Sequence, residues 1–401
     1  MAAYRYTRRR WLATCAGATA GLAAIAGCSD ETDTSSLDDD PGATASDGDY
    51  GDWPMESYNA TNRLAVPHSG VSGKPTIEWT VDLDSEGGVE MPVVYDDLVY
   101  VSESDGKYTA IDIHDGDTKW EHETSDWVAP AVSEDAVFIA GDGIEALHRQ
   151  DGDILWATKH DKSARSLRTY DSEVYAGLGD KIVVLDEDGE ERYTTETGGT
   201  VHSLAVDDRR VYARSILNPD EDEFLISAYD RDGGKQMWKQ EISHAEQWHN
   251  DRVTRTFPVV DGNVYTVTDT AAISIDGSTG DRKEITELDH IAWTRPTIHN
   301  GRVYFPTAEM TYDLESGDSP GEWDPNVNPR IPYVAADGMG ITTSFRQMDP
   351  YQLLSIDLNT GGANWQKEGS QRANVYLPIV LNGLILILEE TTDGNKLVAY
   401  S

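Results

Sequence analysis

Residues 110–120 read Ala110-Ile111-Asp112-Ile113-His114-Asp115-Gly116-Asp117-Thr118-Lys119-Trp120. An apolar alternation runs into a polar turn around Gly116, and a second short run follows and ends at Trp120. Glycine supplies the positive φ angle that a tight turn needs, and a terminal tryptophan can bury a large apolar surface. The stretch therefore predicts two antiparallel strands joined by a turn, with the second strand packing through its aromatic ring.

The same pattern returns along the chain, usually with an aromatic residue at its end. It is clean in the units that end at Trp120, Trp156, Tyr193, Trp238 and Trp365. It decays in the units that end near Glu284 and Gly317, where the final tryptophan is missing. We predict that the terminal aromatic residues dock neighbouring units together, and that Trp79 near the start of the repeats does the same.

A hairpin precedes each of these units. The first one reads Pro92-Val93-Val94-Tyr95-Asp96-Asp97-Leu98-Val99-Tyr100-Val101, which is two apolar runs around an Asp-Asp turn. Further copies centre on Phe138, Tyr175, Tyr212, Tyr265 and Tyr304, and weaker ones on Ile341 and Ile387. Hairpin and turn unit together give four strands about every 37–40 residues, which is typical of a β-propeller blade. The hairpins predict eight blades, and seven is the alternative if one weak unit is not a full blade.

The two ends of the repeat region predict how the ring closes. The chain finishes at Leu397-Val398-Ala399-Tyr400-Ser401, a third strand with no fourth strand after it. Thr76-Ile77-Glu78-Trp79-Thr80-Val81 reads as an isolated fourth strand. We expect this N-terminal strand to complete the last blade, because that removes the open sheet edges. The predicted fold class is all-β: an eight-bladed propeller of four-stranded antiparallel blades, closed by an N-terminal strand.

The charge of the chain restricts its partners. There are 72 Asp and Glu residues against 32 Lys and Arg residues, a net charge of −40 at pH 7. Such a surface repels nucleic acid, so no nucleic-acid partner is expected. An acidic surface poor in lysine fits a protein kept soluble in high salt and points to a haloarchaeal source; an ordinary acidic secreted protein is the alternative. The only cysteines, Cys15 and Cys28, lie near the N-terminus, which excludes a disulfide or a cysteine metal site from the predicted domain.

The first 28 residues resemble an export signal. Arg8 and Arg9 lie in a run that is similar to the twin-arginine motif, and a small apolar stretch follows it. Ile25-Ala26-Gly27-Cys28 resembles a lipobox, in which the cysteine thiol takes a lipid and becomes the new N-terminus. We therefore predict an extracytoplasmic protein, anchored to the outer face of the cell membrane through a lipid on Cys28. Plain secretion is the alternative.

Residues 29–52 carry Asp, Ser, Thr and Gly and almost no apolar side chains. This composition predicts a disordered acidic tether between the signal, residues 1–28, and the propeller, residues 53–401. Asn59-Ala60-Thr61 matches a glycosylation sequon, which we interpret as a chance match.

The pattern Ala-apolar-Asp-x-x-x-Gly-x-x-x-Trp resembles the repeat of the PQQ-like, quinoprotein-type propeller family, over about residues 76–401. The resemblance implies the propeller but not the quinone. Dehydrogenases of this family typically carry an adjacent cysteine pair beside the quinone, and a calcium site of Glu, Asn and Asp. This chain has no adjacent cysteine pair and no CxxCH haem motif, so we expect no PQQ and no other cofactor.

Calcium stays an open alternative at the acidic turns between third and fourth strands. The acid pairs there are Asp115/Asp117, Asp151/Asp153 and Asp186/Asp188. Carboxylate oxygens are ligands that calcium prefers. The other interpretation is a solvated turn on an acidic protein, and on that interpretation we predict no metal site.

Arginine and aromatic residues recur in the segments that lead from one blade to the next. In a propeller these connectors gather around one mouth of the central channel. The candidate residues are Trp127, Arg165, Arg168, His202, Arg255, Trp293, Arg295, Arg330, Arg372 and Tyr376. Together they are suited to bind an anionic or planar ligand, or a peptide. The alternative is that these arginines pair with neighbouring acids and close the funnel.

We identify no catalytic residue in the sequence. The leading hypothesis is a non-enzymatic binding or assembly scaffold at the outer cell surface. The PQQ-like family includes lipoproteins of this kind, such as the propeller subunit of the outer-membrane assembly machinery. The expected partners are the membrane, through the lipid anchor, and a protein or surface glycan, with the protein itself a monomer. The alternatives are a quinoprotein-type dehydrogenase or other extracytoplasmic enzyme, and a binder of surface polysaccharide or glycoprotein.

Overall fold

The structure, a computed structural model, describes residues 50–85, 87–218, 223–243, 256–268, 271–287, 296–305, 310–318, 332–344, 350–371 and 373–401. The described residues form β-strands and the turns between them, with no helix in these ranges. In this part of the chain, no helix is therefore long and apolar enough to cross a membrane. The predicted export signal, with Arg8, Arg9 and Cys28, lies outside the described residues, as does the predicted tether before Tyr50.

The described strands form eight sheets, the blades of an eight-bladed β-propeller, which confirms the predicted fold class. Two strands precede the first blade: β1 (Ala65–Val66) and β2 (Ile77–Leu83). Blade 1 comprises β3 (Val93–Tyr95), β4 (Leu98–Ser102), β5 (Lys107–Asp112) and β6 (Thr118–Glu123). Blade 2 comprises β7 (Ala131–Val132), β8 (Ala136–Ala140), β9 (Ile144–His148) and β10 (Ile154–Ala157). Blade 3 comprises β11 (Ala164–Tyr170), β12 (Glu173–Leu178), β13 (Lys181–Asp186) and β14 (Glu191–Glu196).

The remaining blades complete the ring. Blade 4 comprises β15 (Thr200–Val206), β16 (Arg210–Asn218), β17 (Glu223–Asp230) and β18 (Gln236–Ser243). Blade 5 comprises β19 (Val259–Val260), β20 (Asn263–Val267), β21 (Ala271–Asp276) and β22 (Arg282–Glu287). Blade 6 shows β23 (Thr297–His299), β24 (Arg302–Phe305) and β25 (Met310–Asp313) among the described residues. Blade 7 comprises β26 (Val334–Ala336), β27 (Met339–Ser344), β28 (Pro350–Asp357) and β29 (Ala363–Gln371). Blade 8 contains β30 (Asn374–Val375), β31 (Ile379–Leu381), β32 (Leu384–Thr391) and β33 (Gly394–Tyr400).

The ring closes as the sequence predicts. Strand β2 pairs antiparallel with β33, with Trp79 opposite Ala399 and Leu83 opposite Asn395, and so becomes the outer strand of blade 8. The first and last parts of the propeller therefore share one sheet, which leaves no open seam between the terminal blades. Blade 5 forms its four strands although its repeat pattern has decayed.

The first two strands of each blade meet in a tight hairpin. In blade 1, Asp96 and Asp97 both have positive φ angles, of 49° and 64°. Two consecutive positive φ values characterise the hairpin turn that matches strand twist, and Asp tolerates this conformation better than most residues. The Asp-Asp, Asp-Gly and Asn-Gly pairs of the sequence therefore mark one end of the blades that carry them.

The predicted aromatic residues lie between neighbouring blades. The indole N–H of Trp120 in blade 1 donates to the carbonyl of Arg149 in blade 2 at 2.7 Å. Its ring stands 2.9 Å from the place where a Cβ on Gly152 would lie. The same donation occurs from Trp79 to Ile113 (2.8 Å), from Trp156 to Glu187 (2.7 Å) and from Trp238 to Gly277 (2.7 Å). Tyr193 packs on Gly234, and the indole of Trp365 donates to the carbonyl of Val71 at 3.1 Å.

Candidate functional site

Residues 50–71, which we call the N-terminal strap, run along the first strands of the blades. The strap's carbonyls accept backbone N–H groups that the first strands leave unpaired at the channel. These bonds join Asn382 to Tyr50 (2.8 Å), Val94 to Trp53 (2.7 Å), Val132 to Pro54 (2.9 Å), Val206 to Ala60 (2.7 Å), Val259 to Thr61 (2.8 Å) and Ala335 to Leu64 (2.7 Å). Strand β1, within the strap, also adds to β26 in parallel. Blades 8, 1, 2, 4, 5 and 7 are thus bonded to one segment.

Blade 3 is bonded to the strap through a side chain, and blade 6 faces the strap. Arg168 of blade 3, only 1% exposed, donates to Asn62 from Nε at 3.0 Å and from Nη2 at 2.8 Å. Its Nη2 also pairs with Glu56 at 3.1 Å. In blade 6, burial together with the positive charge of Arg63 lowers the pKa of His299. The strap therefore contacts or faces all eight blades in the described part of the chain.

The positions of these bonds show which end of the channel the strap occupies. Val94 lies just before the hairpin turn at Asp96, and Val206 lies at the end of β15, where the next turn begins. Hairpins between first and second strands, and the turns between third and fourth, share one end of an antiparallel blade. The connectors between blades lie at the other end. The strap thus closes the hairpin end of the channel, opposite the predicted ligand-binding mouth.

The sequence pattern does not predict the strap. The composition predicts a tether up to residue 52, and Asn59-Ala60-Thr61 matches only a sequon. In the structure Asn59 accepts the backbone N–H of Arg63 at 3.1 Å, and Tyr50 is already bonded to blade 8. One feature of the sequence does indicate the strap. Apolar and aromatic residues begin at Trp53, well before the first strand of blade 1 at Val93, and such residues are expected to be buried.

The structure describes five of the ten predicted mouth residues, Trp127, Arg165, Arg168, His202 and Tyr376. Arg255, Trp293, Arg295, Arg330 and Arg372 lie outside the described part of the chain. Arg165 is exposed, and Trp127, His202 and Tyr376 are half-buried. The hydroxyl of Tyr376 donates to Glu390. The guanidinium of Arg168 is buried and donates hydrogen bonds to Asn62 and Glu56 of the strap, so it is not accessible to a ligand. A ligand at the connector end stays a prediction.

Arginines on the hairpin side form a repeated clasp between blades. Arg149 stacks over the ring of Tyr95, at 4.7 Å from the centroid, and bonds Asp96 at 3.1 Å. Arg231 does the same with Tyr170 and Asp171, at 4.9 Å and 3.1 Å. In each clasp an arginine from the blade's third-to-fourth-strand turn holds an earlier blade's hairpin turn. Arg149 and Arg231 therefore join neighbouring blades, and their guanidinium groups are already engaged by these contacts.

The acidic turns use their carboxylates as backbone caps. Asp357 accepts the N–H groups of Asn359 and Thr360, at 2.8 Å and 2.9 Å, and these bonds lower its pKa. The same capping aspartate recurs at Asp112, Asp186, Asp230, Asp276 and Asp313. Of the predicted pairs, Asp115 caps the N–H of Asp117 at 2.9 Å, and Asp151 caps that of Asp153 at 3.1 Å. The turn geometry accounts for the aspartate of the repeat pattern without a cation.

Metal-binding groups and clefts bear on the predicted absence of a cofactor. Across the described ranges there is no group of three His, Cys, Asp or Glu side chains suited to hold a metal ion. A cleft of about 150 Å³ lies between blades 2 and 3, beside Phe138, Tyr170 and Glu173. The absence of PQQ and of calcium stays a prediction.

One buried acid lies between the closing blades. Glu389 of β32 is 1% exposed and accepts the hydroxyl of Tyr351 at 2.7 Å. That hydroxyl is 2.9 Å from the hydroxyl of Tyr400. Burial and the neighbouring carboxylate raise the pKa of Tyr351. The cluster is enclosed by the core between blades 7 and 8.

Comparison with known proteins places the fold in one family. The family described as outer membrane protein assembly factor BamB matches residues 71–144 and 140–367. No curated protein sequence matches the chain significantly. Among solved structures, BamB from Moraxella catarrhalis is 15% identical, with a TM-score of 0.57, over 82% of this chain and 97% of that chain.

Two similar structures are enzymes. A quinohemoprotein alcohol dehydrogenase from Pseudomonas putida HK5 is 13% identical, with a TM-score of 0.65, over 88% of this chain and 81% of that chain. A europium-containing methanol dehydrogenase is 14% identical, with a TM-score of 0.66, over 91% and 99% of the two chains. At such identities the likeness shows the fold alone. The family match spans most of the chain, and on that basis this protein belongs to the PQQ-like propeller family of outer membrane protein assembly factor BamB.

Proposed function

We propose that the protein is a non-enzymatic scaffold, which presents a rigid ring of blades to a protein partner outside the cytoplasm. The observation that carries the proposal is the strap, because one segment bonds the inner strands around the ring and closes the hairpin end of the channel. Such bonding suppresses motion between blades, and a rigid surface loses little entropy on binding. Membership of a family named for an assembly factor supports the same function.

The anchor gives the scaffold an orientation. The chain enters the propeller at Tyr50, on the hairpin end, and an extended chain from Cys28 to Tyr50 spans at most about 75 Å. With a lipid on Cys28, the strap is the end tied to the membrane and the ring stays within that distance of it. The blade rims and the connector end are then the surfaces within reach of a partner.

Affinity capture tests the scaffold proposal. The full chain is immobilised and incubated with cell-surface proteins, and captured proteins are compared with those on a column of the unfolded chain. We expect a specific, reproducible partner on the folded chain alone. A variant with Arg165, Arg295 and Arg330 replaced by alanine tests the connector end. No partner specific to the folded chain would reject the scaffold, and captured polysaccharide in place of protein would favour the glycan-binding alternative.

The second candidate is a quinoprotein-type dehydrogenase, which the fold likeness to two dehydrogenases favours. Purified protein is mixed with quinone and calcium and followed by ultraviolet–visible absorbance and thermal unfolding. A shifted quinone spectrum together with a raised Tm would favour the enzyme, because only a ligand bound to the native state stabilises it. On the scaffold proposal neither quantity changes.

A further inference from the structure

Strand β10 differs from the other outer strands of the described blades. Its four residues are Ile154, Leu155, Trp156 and Ala157, and none carries a charge. Each of the other described outer strands carries charged side chains: Glu78 and Asp82 on β2, Lys119 and Glu121 on β6, Glu191 and Arg192 on β14, Lys239 and Glu241 on β18, Arg282 and Glu284 on β22, Lys367 and Glu368 on β29. Charges on an edge strand prevent unwanted pairing with other chains. Blade 2 lacks this protection.

Two apolar side chains of β10 are exposed to solvent. Ile154 is 57% exposed and Leu155 51%, two of the few large apolar side chains exposed in the described residues. Trp156 fixes the strand, because its indole N–H donates to the carbonyl of Glu187 in blade 3 at 2.7 Å. Strand β10 pairs with β9 on one side and is the last strand of its sheet on the other. The result is an anchored, apolar sheet edge on a chain of net charge −40.

Two positive side chains follow this edge in the connector to blade 3. Lys159 and Lys162 are exposed, and neither forms an ion pair within the described residues. The contrast is Lys107 in blade 1, which pairs with Asp84, Glu103 and Glu121 at 2.8, 3.6 and 3.1 Å. Asp161 lies between the two lysines in sequence, but no ion pair joins it to either of them within the described residues. Their positive charge is available to a partner.

We propose, resting on the scaffold function above, that β10 is the docking edge for an extended acidic segment of a partner protein. The segment adds to blade 2 as a further strand, its apolar residues covering Ile154 and Leu155 and its carboxylates facing Lys159 and Lys162. Main-chain hydrogen bonds supply affinity in this mode of recognition, and alternate side chains supply specificity.

A second copy of the chain is a poorer occupant. It brings another net charge of −40, and a four-residue strand buries far less than the roughly 800 Å² per partner of a stable interface. A partner segment can extend past β10 onto the connector, where the cations lie.

The test uses the folded chain and a short synthetic peptide that alternates valine with glutamate. Its counterpart has lysine in place of glutamate. Binding is measured by fluorescence anisotropy, and amide hydrogen exchange locates it. We expect the glutamate peptide to bind, to slow exchange at Ile154–Ala157, and to bind more tightly than the lysine peptide by roughly two- to fivefold for each charge pair formed.

Three variants sharpen the test. Leu155→Glu places on β10 an acidic charge of the kind that Glu121 places on β6, which also repels the peptide's glutamates, and should weaken the glutamate peptide by about tenfold or more. Met237→Glu is the matched control: Met237 is 46% exposed and also precedes a docking tryptophan, Trp238, so binding should not change. Lys159→Glu with Lys162→Glu should reverse the preference between the two peptides.

Several results would overturn this docking edge. They are equal binding of both peptides, equal loss in the Leu155→Glu and Met237→Glu variants, or protection elsewhere than β10. Protection of β10 that grows with protein concentration and needs no peptide would assign the edge to a second copy instead. If surface proteins are captured equally by the wild type and by Leu155→Glu, the scaffold stands and this edge is not its site. If nothing is captured while the peptide binds, the scaffold function fails and the edge remains.

Discussion

The guanidinium of Arg168 and the side-chain oxygen of Asn62 are joined by two hydrogen bonds, of 3.0 and 2.8 Å, across 106 residues of sequence. The amide nitrogen of Asn62 donates in the other direction, to the carbonyls of Leu204 at 2.9 Å and Phe257 at 3.1 Å. One buried side chain therefore ties the strap to blades 3, 4 and 5. Its φ angle of 57° is a conformation that asparagine adopts more readily than most residues.

Replacing Asn62 should loosen the strap. In Asn62→Ala the Arg168 guanidinium keeps Glu56 but loses two buried bonds, and we expect the free energy of unfolding to fall by about 2–4 kcal/mol. Denaturant unfolding measures the loss. Amide exchange should rise at Val206 and Val259, whose N–H groups donate to the strap at Ala60 and Thr61.

Asn62→Asp is the matched control for this site. It keeps an oxygen for Arg168 but loses the two donations to Leu204 and Phe257, so its loss of stability should be smaller than that of the alanine variant. Unchanged unfolding and unchanged exchange in Asn62→Ala would mean that the strap does not hold the ring.

The docking of Trp120 on Gly152 makes a second prediction. Gly152 has a φ angle of 74°, and a Cβ there would lie 2.9 Å from the indole ring. We expect Gly152→Ala to destabilise the protein by about 1–3 kcal/mol, through backbone strain and overpacking. Trp120→Phe removes only the hydrogen bond to Arg149 and part of the ring, and should lower the free energy of unfolding by about 1–2 kcal/mol.

A matched glycine outside the contact controls for backbone strain alone. Gly338 has a similar φ angle of 75°, but nothing lies within 4 Å of a Cβ placed there. Gly338→Ala should therefore cost less than Gly152→Ala. Equal losses in the two variants, measured by denaturant unfolding, would show that the indole contact adds nothing to the strain.

The sequence predicts the repeated parts of this molecule and misses the part that occurs once. Short local patterns predict the turns and strands, for example Gly116, Trp120 and the Asp-Asp turn at residue 96. The repetition of such patterns identifies the blades. The strap has no local signature, because its bonds run from Tyr50 to Asn382 and from Ala60 to Val206, far apart in sequence. The role of Arg168 depends on the same distant contacts. From its connector alone, Arg168 looks like a ligand-binding residue.

The capping aspartates predict an acid limit to stability. Hydrogen bonds from Thr360 and Asn359 lower the pKa of Asp357, and a bond from Ser278 lowers that of Asp276. A carboxyl with a lowered folded-state pKa stabilises the fold above its unfolded value, near 3.9, and this stability is lost as pH falls through the folded value. We expect unfolding to become easier progressively below about pH 4.

Asp357→Asn isolates this effect. The amide oxygen still caps the turn but carries no charge, so the variant should be less stable than the wild type at pH 7. The difference should shrink as pH falls through the lowered folded-state pKa of Asp357, because the wild-type carboxyl then becomes neutral as well. Thermal unfolding across the pH range measures both the stability difference at pH 7 and its decrease at low pH. A difference that stays constant with pH would assign the loss to geometry and not to charge.

The net charge of −40 predicts that salt stabilises the fold. Raising KCl from about 0.1 to about 1 M shortens the Debye length from roughly 10 to 3 Å, which screens repulsion between surface carboxylates. We expect Tm to rise steeply over this range at pH 7, and the rise to be much smaller near the sequence pI of about 4.3, where that repulsion is weak. Sucrose, which is excluded from protein surfaces but does not screen charge, separates screening from preferential exclusion. A Tm that is flat in KCl, or that rises as much in sucrose, would favour an ordinary acidic secreted protein, because adaptation to high salt requires the folded state itself to depend on screening.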